Sequence, residues 1–371
     1  MRDSTGPFEY DGPVAGDQVV DRCREAEMIK AWAREGRLMA LVAPRRFGKT
    51  SLIHKIAAEG QRDGLTVVTA DLFGVASFSD LVLRLERAWA SYAPEVVRPA
   101  VSKILAASQA GVSITGSGFA SAMDSRPAAD PLAALNALLE LPSLLAQREG
   151  GRTLIVLDEF QSAAGVPGAE ALIRQHACRQ RAAVSYLFSG SRPDMLSTGS
   201  AEGEGEPVSA LRLGRLPKAK LRESIQERFA TAGDRDVTGV LDELLAAGEG
   251  HPQRTMLLAH LLWQEVPAGE PATSDHLDAA IAAALRQIDP EARATMSGLS
   301  VGQRKVLRAV AEYGAPMAAR AVRTLGLPKT TAQKAAPHLV ASGLIEDTSQ
   351  GWRVIDPLLA RWIQTNYGTR A

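Results

Sequence analysis

The stretch Leu38–Gly60, LMALVAPRRFGKTSLIHKIAAEG, decides the fold. It begins with an unbroken apolar run, which is typical of a buried parallel strand, and ends in a segment with helical spacing. The loop between them fits the phosphate-binding pattern G-x-x-x-x-G-K-[ST], except that Ala43 takes the place of the first glycine. A strand, a loop and a helix in this order are the context that such a loop requires. The stretch therefore predicts a nucleotide-binding α/β domain.

Three consecutive residues of this loop supply the chemistry for holding a nucleotide. Gly48 lets the backbone amides close around the phosphate oxygens, and Lys49 brings a positive charge to the β and γ phosphates. Thr50 offers a hydroxyl group to Mg²⁺. The helix that begins here adds the positive end of its dipole. ATP with Mg²⁺ is therefore the expected ligand.

The first half of the loop departs from the usual composition. Ala43 closes the strand, where a methyl group is tolerable as long as φ stays negative. The loop has Pro44, Arg45 and Arg46 where more flexible residues are usual, which suggests a stiff loop. We expect these changes to leave nucleotide binding intact.

A second apolar strand, TLIVLDEF at 153–160, ends in two acidic residues about 110 residues after the loop. Asp158 is expected to hold Mg²⁺ through water, and Glu159 is expected to polarise the attacking water. An apolar strand that ends in Asp-Glu is a weak signal alone, but after a phosphate loop it is strong. The pair predicts ATP hydrolysis.

The strand at 183–190 ends in serines that could take part in the same chemistry. Ser189 or Ser191 could bond the γ-phosphate or the water, and ordinary turn chemistry is the alternative. Arg192 could reach the phosphates of its own or a neighbouring subunit, or simply lie on the surface. The sequence leaves these alternatives open.

Short apolar runs at 65–72 and 210–214 complete a set of five predicted strands that alternate mostly with helical patterns. This rhythm predicts a parallel sheet covered by helices on both faces. The Gly/Ser-rich stretch 110–130 and the acidic stretch 197–209 interrupt it and are predicted to be loop insertions.

The chain is predicted to contain an N-terminal arm and three domains. They are the arm at 1–17, a phosphate-loop ATPase core at 18–215, a helical lid at 216–297 and a winged-helix domain at 298–371. Three helices are predicted in the lid, at 216–230, 237–250 and 251–266. The winged helix is predicted from helices at 301–314, 317–326 and 330–343 and strands at 344–348 and 352–356.

Composition limits the partners and the compartment. Lys plus Arg equals Asp plus Glu at 42 each, so the whole chain has no charge that would attract nucleic acid or membrane. Two cysteines give no basis for a disulfide framework or a metal cluster. The N-terminus has no signal-peptide core and no run of about 18 apolar residues occurs, so a cytoplasmic protein without a membrane segment is expected.

Several motifs taken together resemble those of a known group of ATPases. They are APRRFGKTSL at 43–52, LIVLDEFQ at 154–161, SGS at 189–191, GHPQ at 250–253 and VIDPLLARWI at 354–363. Over roughly 7–365 the chain resembles the archaeal-type P-loop ATPases of the STAND branch, relatives of the AAA+ proteins with an ORC/Cdc6-like architecture. The most specific elements are the phosphate loop and the closing Asp356-Pro357 with Arg361-Trp362.

The resemblance implies further nucleotide contacts. The loop residues expected to line the nucleotide are Ala43, Pro44, Arg45, Arg46, Phe47, Gly48, Lys49, Thr50 and Ser51. Arg22 resembles the residue near the nucleotide base, with Asp21 before it in place of the family's glycine. Pro252 matches the lid motif that approaches the nucleotide. Arg254 stands where related proteins place a phosphate-sensing arginine, with a solvated helix arginine as the alternative.

The C-terminal segment 300–371 carries ten Lys and Arg against four Asp and Glu, an excess of six positive charges. Local basicity favours phosphate contacts, and the candidates for duplex DNA are Lys329, Thr331, Lys334 and Arg353. The residues Ala332, Leu339, Val340 and Leu344 are predicted to face inward. Pro337 lies inside the presumed recognition helix, where proline removes a backbone hydrogen bond and tends to kink the helix. This counts against DNA contact, so docking to a protein and purely structural packing remain open.

The function that these features predict is an ATP-dependent molecular switch. Nucleotide state would control a winged helix that engages DNA or a protein partner, and self-association is left open. The alternative is a nucleotide-binding transcription regulator or adaptor with little turnover. A metabolic phosphate-loop kinase lacks support, because no acceptor pocket or further catalytic base stands out.

Overall fold

The computed structural model describes residues 6–92, 130–191, 208–349 and 351–368. The chain divides into two units, a sheet unit and a helical unit. The sheet unit comprises Ala15–Ala43 and Lys49–Leu213, and the helical unit comprises Met1–Val14, Pro44–Gly48 and Gly214–Ala371. Most of the predicted loops at 110–130 and 197–209, and Arg192, lie outside the described residues.

The sheet unit alternates helices with strands, as the sequence predicted. Its helices are α1 (Cys23–Arg34), α2 (Lys49–Arg62), α3 (Phe78–Tyr92), α4 (Pro131–Glu149) and α5 (Ala169–Arg179). Its strands are β1 (Leu38–Val42), β2 (Leu65–Asp71), β3 (Arg152–Asp158), β4 (Val184–Gly190) and β5 (Ser209–Arg212). Helix α1 begins at Cys23, directly after Asp21 and Arg22, which adopt left-handed backbone conformations.

The five strands form one parallel sheet in the order β2-β3-β4-β1-β5. Strand β4 lies between β1 and β3, with Val42 paired to Gly190 and Leu157 paired to Phe188. Because the strands are parallel, their carboxyl ends meet at one edge of the sheet, where ligands bind in open α/β folds. The phosphate loop follows β1 at this edge, and Asp158 ends β3 there.

Both faces of the sheet are covered, which explains why the strands are apolar without alternation. One face packs against α3, α4 and α5 through a core that includes Trp89, Tyr186 and Phe188. On the opposite face, the Ser185 hydroxyl donates to the carbonyl oxygen of Ala33 in α1 at 2.7 Å. The sequence prediction of a parallel sheet between helical layers is confirmed.

The helical unit contains the elements that the sequence assigned to a lid and a winged helix. Its elements are α6 (Lys218–Thr231), α7 (Leu241–Gly248), α8 (Pro252–Glu265), α9 (Ser274–Gly298), α10 (Val301–Tyr313), α11 (Ala319–Thr324), α12 (Lys329–Ala341), β6 (Ile345–Thr348), β7 (Gly351–Val354) and α13 (Pro357–Tyr367). Strands β6 and β7 form an antiparallel hairpin. Helix α9 was not among the predicted lid helices, and the boundaries between lid and winged helix stay a prediction. In the part of the chain that is described, no helix has the length and apolar character needed to cross a membrane.

The N-terminal arm packs on helices of the same unit. Phe8 is buried, and its ring centroid lies 5.3 Å from that of Phe229 in α6. Arg228 donates to the carbonyl oxygen of Pro7 at 3.1 Å. Gln287 of α9 donates to the Tyr10 hydroxyl at 3.2 Å. The sequence predicted an N-terminal arm here and gave no sign that an aromatic side chain anchors it.

The inward face that the sequence predicted for helix α12 is wrong at one residue. Ala332 and Leu339 are buried as expected, but Val340 is 37% exposed. Relative to Ala332, Val340 is eight residues on and therefore about 80° around the helix, at the margin of the buried stripe. Pro337 lies on the exposed side of a helix that continues to Ala341.

Candidate phosphate-binding site

Lys49 is the first residue of α2 and points back along the loop that precedes it. Its side chain is buried, with 5% exposure, and its ammonium group donates to the carbonyl oxygen of Ala43 at 3.2 Å. Gly48 has φ of +83°, and a Cβ atom there would meet nothing within 4 Å. The requirement at Gly48 is therefore the backbone conformation itself, as the loop pattern implies.

Ala43 occupies the position that the pattern gives to glycine. It is buried, it is not among the residues with positive φ, and its amide donates to the carbonyl oxygen of Gly190 at 3.3 Å. The condition for tolerating a methyl group at this position is therefore met.

Thr50 and Asp158 join the phosphate loop to the end of β3. The Thr50 hydroxyl donates to Oδ2 of Asp158 at 2.9 Å, and Asp158 is 5% exposed. The other carboxylate oxygen, Oδ1, accepts the backbone N–H of Glu159 at 3.0 Å. Two residues that are 108 positions apart thus place a hydroxyl oxygen and a carboxylate oxygen side by side.

Glu159 follows in a left-handed backbone conformation, with φ of +51°. Its side chain is half-buried, and its carboxylate accepts a hydrogen bond from the side-chain amide of Gln161. Gln161 was quoted as part of a motif but was given no role by the sequence. The only sign in the sequence that Gln161 could contact Glu159 was its position two residues further on, in LDEFQ.

The serines near the end of β4 differ in their surroundings. Ser189 is fully buried, and its hydroxyl oxygen is among the buried polar atoms without a hydrogen-bond partner in the described residues. Ser191 lies just after the strand and is half-buried. Ser51, in the first turn of α2, is also half-buried. Their contacts with nucleotide stay predictions.

Arg22 lies just before α1, following Asp21, and both have positive φ, +68° and +60°. A positive φ at position 21 is a conformation that glycine adopts freely, and aspartate is one of the few other residues that tolerate it. Arg22 is buried and donates to the Glu25 carboxylate at 2.8 Å. Its predicted role near a nucleotide base stays a prediction.

The loop residues Pro44–Gly48 belong to the helical unit. Arg46 has φ of +66° and donates to Oε1 of Glu291 in α9 at 2.5 Å. Phe47 is buried and meets the ring of His251 edge-on, with 4.8 Å between centroids. Pro44 is half-buried and Arg45 is exposed.

The segment Gly250-His251-Pro252 forms a tight N-terminus for α8. Gly250 has φ of +71°, and a Cβ atom there would lie 2.7 Å from the carbonyl oxygen of Leu216. Nδ1 of His251 accepts the Arg254 backbone N–H at 3.3 Å and so caps the helix. Burial lowers the pKa of His251 to about 3. The ring is therefore neutral near pH 7, as an accepting nitrogen requires.

Arg254 is buried, with 3% exposure, so the alternative of a solvated arginine is wrong. Its guanidinium donates to Oδ2 of Asp356 at 2.5 and 2.8 Å and to Oε2 of Glu291 at 3.3 Å. Burial alone would lower the pKa of Arg254 and raise that of Asp356, but their mutual attraction outweighs burial in both and keeps both charged. Asp356 also caps α13 by accepting the N–H groups of Leu358 and Leu359.

The four candidate DNA contacts lie in different environments. Lys329 and Lys334 are exposed on α12. Thr331 is half-buried, and its methyl carbon would lie 2.7 Å from a Cβ atom placed on Gly302 of α10. Arg353 is 39% exposed and bonds the Glu346 carboxylate at 2.7 Å. Two lysines are therefore the charged candidates without such a carboxylate contact in the described residues.

No protein-family model and no curated protein sequence matches this chain. Solved structures do match its fold. The Walker-type ATPase PABY2304 of Pyrococcus abyssi has 15% identity and a TM-score of 0.71, over 96% of this chain and 99% of that one. The Aeropyrum pernix ORC2 protein in its ADPNP-ADP complexes has 18% identity and a TM-score of 0.57, over 96% and 97%. Its ADP form has 17% identity and a TM-score of 0.55, over 97% and 99%. These similarities confirm the predicted α/β P-loop NTPase fold.

Proposed function

We propose that this protein binds and hydrolyses ATP and uses nucleotide state as a molecular switch. The observation that carries the proposal is the hydrogen bond between Thr50 and Asp158, which joins the phosphate loop to an acidic strand end. The Aeropyrum pernix protein with the same fold is described in ADPNP-ADP and ADP forms, and we extend nucleotides of this class to the present chain.

The donor atoms of this pair suit a magnesium ion. Mg²⁺ prefers hard oxygen ligands, and hydroxyl and carboxylate oxygens are what Thr50 and Asp158 present. Because the Thr50 hydroxyl gives its proton to Asp158, its lone pairs remain available to a cation. Asp158 would hold the ion directly or through water. When bound, the ion would neutralise charge on the phosphate oxygens.

Lys49 and Glu159 have separate proposed roles in the reaction. Lys49 would give up its contact with the Ala43 carbonyl and place its charge on the β and γ phosphates. Glu159 would accept a hydrogen bond from the attacking water and orient it. Gln161 would position Glu159, because its amide holds the carboxylate. Ser191 is proposed to bond the γ-phosphate or the water.

Calorimetry with Mg-ATP tests the binding site. Lys49→Ala is expected to abolish measurable binding, since the charge on the phosphates is lost. Ala43→Gly is the matched control in the same loop, and its affinity should change by less than about tenfold, or 1.4 kcal/mol, because Ala43 has no positive φ to relieve. Wild-type protein that shows no heat of binding at millimolar Mg-ATP would refute the proposal.

For the helical unit we propose a lid at 216–297 and a winged-helix domain at 298–371 that contacts duplex DNA. Support comes from the exposed Lys329 and Lys334 on α12, in a segment with six excess positive charges. Fluorescence anisotropy with labelled random duplex, with and without ATP, tests this contact. Absence of binding even at low salt would favour docking to a protein partner instead.

A further inference from the structure

The phosphate loop holds Arg46 in a conformation that needs external support. Its φ of +66° is in the left-handed region, which is strained for a residue with a side chain. The neighbouring Phe47 is fixed by burial and by its edge contact with His251. The side chain of Arg46, by contrast, is 43% exposed, and its guanidinium pairs with the carboxylate of Glu291.

Glu291 is itself held in place. Its second carboxylate oxygen accepts from the buried Arg254, which is fixed in turn by Asp356 at the start of α13. Two residues earlier in α9, Asp289 accepts from the indole N–H of Trp362 at 2.9 Å. The Glu291 carboxylate therefore meets Arg46 from a position that its neighbours determine, so less side-chain entropy is lost in forming the pair.

We infer that Glu291 is a positioning residue for the phosphate loop: by binding Arg46 it keeps residues 44–48 in the conformation that receives phosphate. This inference rests on the proposed nucleotide binding at Lys49 and Thr50. It assigns a role in that binding to a residue about 240 positions further along the chain, on a helix that the loop pattern does not include.

The size of the effect follows from the exposure of the pair. An exposed ion pair is worth at most about 1 kcal/mol, which is roughly fivefold in a binding constant. We therefore expect Glu291→Gln to weaken Mg-ATP binding by about three- to fivefold. Glu223→Gln is the matched control, because Glu223 lies on α6 and pairs with Lys220 in the same helix.

A double-mutant cycle separates positioning from general stabilisation of the helical unit. Glycine adopts φ of +66° without strain, so in Arg46→Gly the loop no longer depends on the ion pair. Glu291→Gln is therefore expected to change affinity in the wild-type background and to change nothing further in the Arg46→Gly background. An effect of equal size in both backgrounds would show that Glu291 acts through Arg254 alone and would overturn the inference.

Hydrogen exchange of the ligand-free protein provides a second measurement that does not require nucleotide. The amides of residues 45–48 should exchange faster in Glu291→Gln than in wild type or Glu223→Gln, and this difference should vanish in the Arg46→Gly background. If wild type binds no Mg-ATP but the exchange pattern appears, the proposed function fails and the positioning contact stands. Unchanged exchange, or tighter Mg-ATP binding by Glu291→Gln, would overturn the positioning role.

Discussion

Because of the capping histidine at the start of α8, the free energy of unfolding is expected to fall as the pH becomes mildly acidic. His251 is 2% exposed, and burial lowers its pKa to about 3, against about 6.5 in an unfolded chain. As the pH falls, the unfolded state therefore binds a proton at this histidine before the folded state does. The contribution of the neutral ring is fully present above pH 6.5 and is lost as the pH falls toward 3. Protonation would also remove the lone pair that accepts the Arg254 N–H.

The two pKa values set the magnitude. Proton linkage costs about 2 kcal/mol of unfolding free energy at pH 5 and only about 0.2 kcal/mol at pH 7. His176 and His260 also have pKa values lowered, mainly by burial, and add losses of the same sign. Asp356 contributes little in this range, because an unfolded aspartate is already ionised above pH 5.

The assay compares wild type with His251→Asn, since asparagine can still cap the helix but does not titrate. Urea unfolding is followed by tryptophan fluorescence at pH 7 and at pH 5. The variant is expected to be less stable at both values, because the ring contact with Phe47 is lost. Wild type should nevertheless lose about 2 kcal/mol more than the variant between pH 7 and 5. Equal losses in the two proteins would refute the reasoning.

Three further outcomes are expected. Glu159→Gln should bind Mg-ATP but lose about 10²- to 10⁴-fold in steady-state hydrolysis, and an unchanged rate would favour a regulator in which Glu159 has no catalytic role. Asp356→Asn should keep the α13 cap but cost about 3 kcal/mol in urea unfolding, because Arg254 remains buried with a weaker set of partners. Lys329→Ala with Lys334→Ala should flatten the salt dependence of duplex binding by about two units, and an unchanged slope would remove α12 from the contact.

The sheet could be predicted because buried parallel strands leave a plain signature. All five apolar runs became strands, and no predicted end differs from the observed one by more than two residues. That Thr50 and Asp158 lie close together could also be predicted, since the phosphate loop follows β1, Asp158 ends β3, and the carboxyl ends of both strands share one edge of the sheet. Local sequence was sufficient because each of these features depends on one strand and the turn after it.

The surroundings of Arg254 could not be predicted in the same way. An arginine in a helix is usually solvated, and what makes this one buried is Asp356, 102 residues further along the chain. Glu291 was overlooked for a related reason. It follows Pro290 inside α9, and proline in a helical pattern reads as a break although the helix continues to Gly298. Both features depend on tertiary contacts that periodicity does not encode.

Asp21, Arg22, Arg46 and Glu159 are four of the six residues other than glycine that have positive φ in the described part of the chain. Each sacrifices roughly 1–2 kcal/mol of folding free energy that glycine would recover. Arg22, Arg46 and Glu159 have proposed roles in nucleotide binding or hydrolysis, and Asp21 precedes Arg22. Laboratory evolution that selects only for heat tolerance should therefore enrich glycine at these positions. Where glycine removes the side chain of Arg22, Arg46 or Glu159, the resulting thermostable protein should bind or hydrolyse nucleotide less well, which is a trade-off between stability and activity.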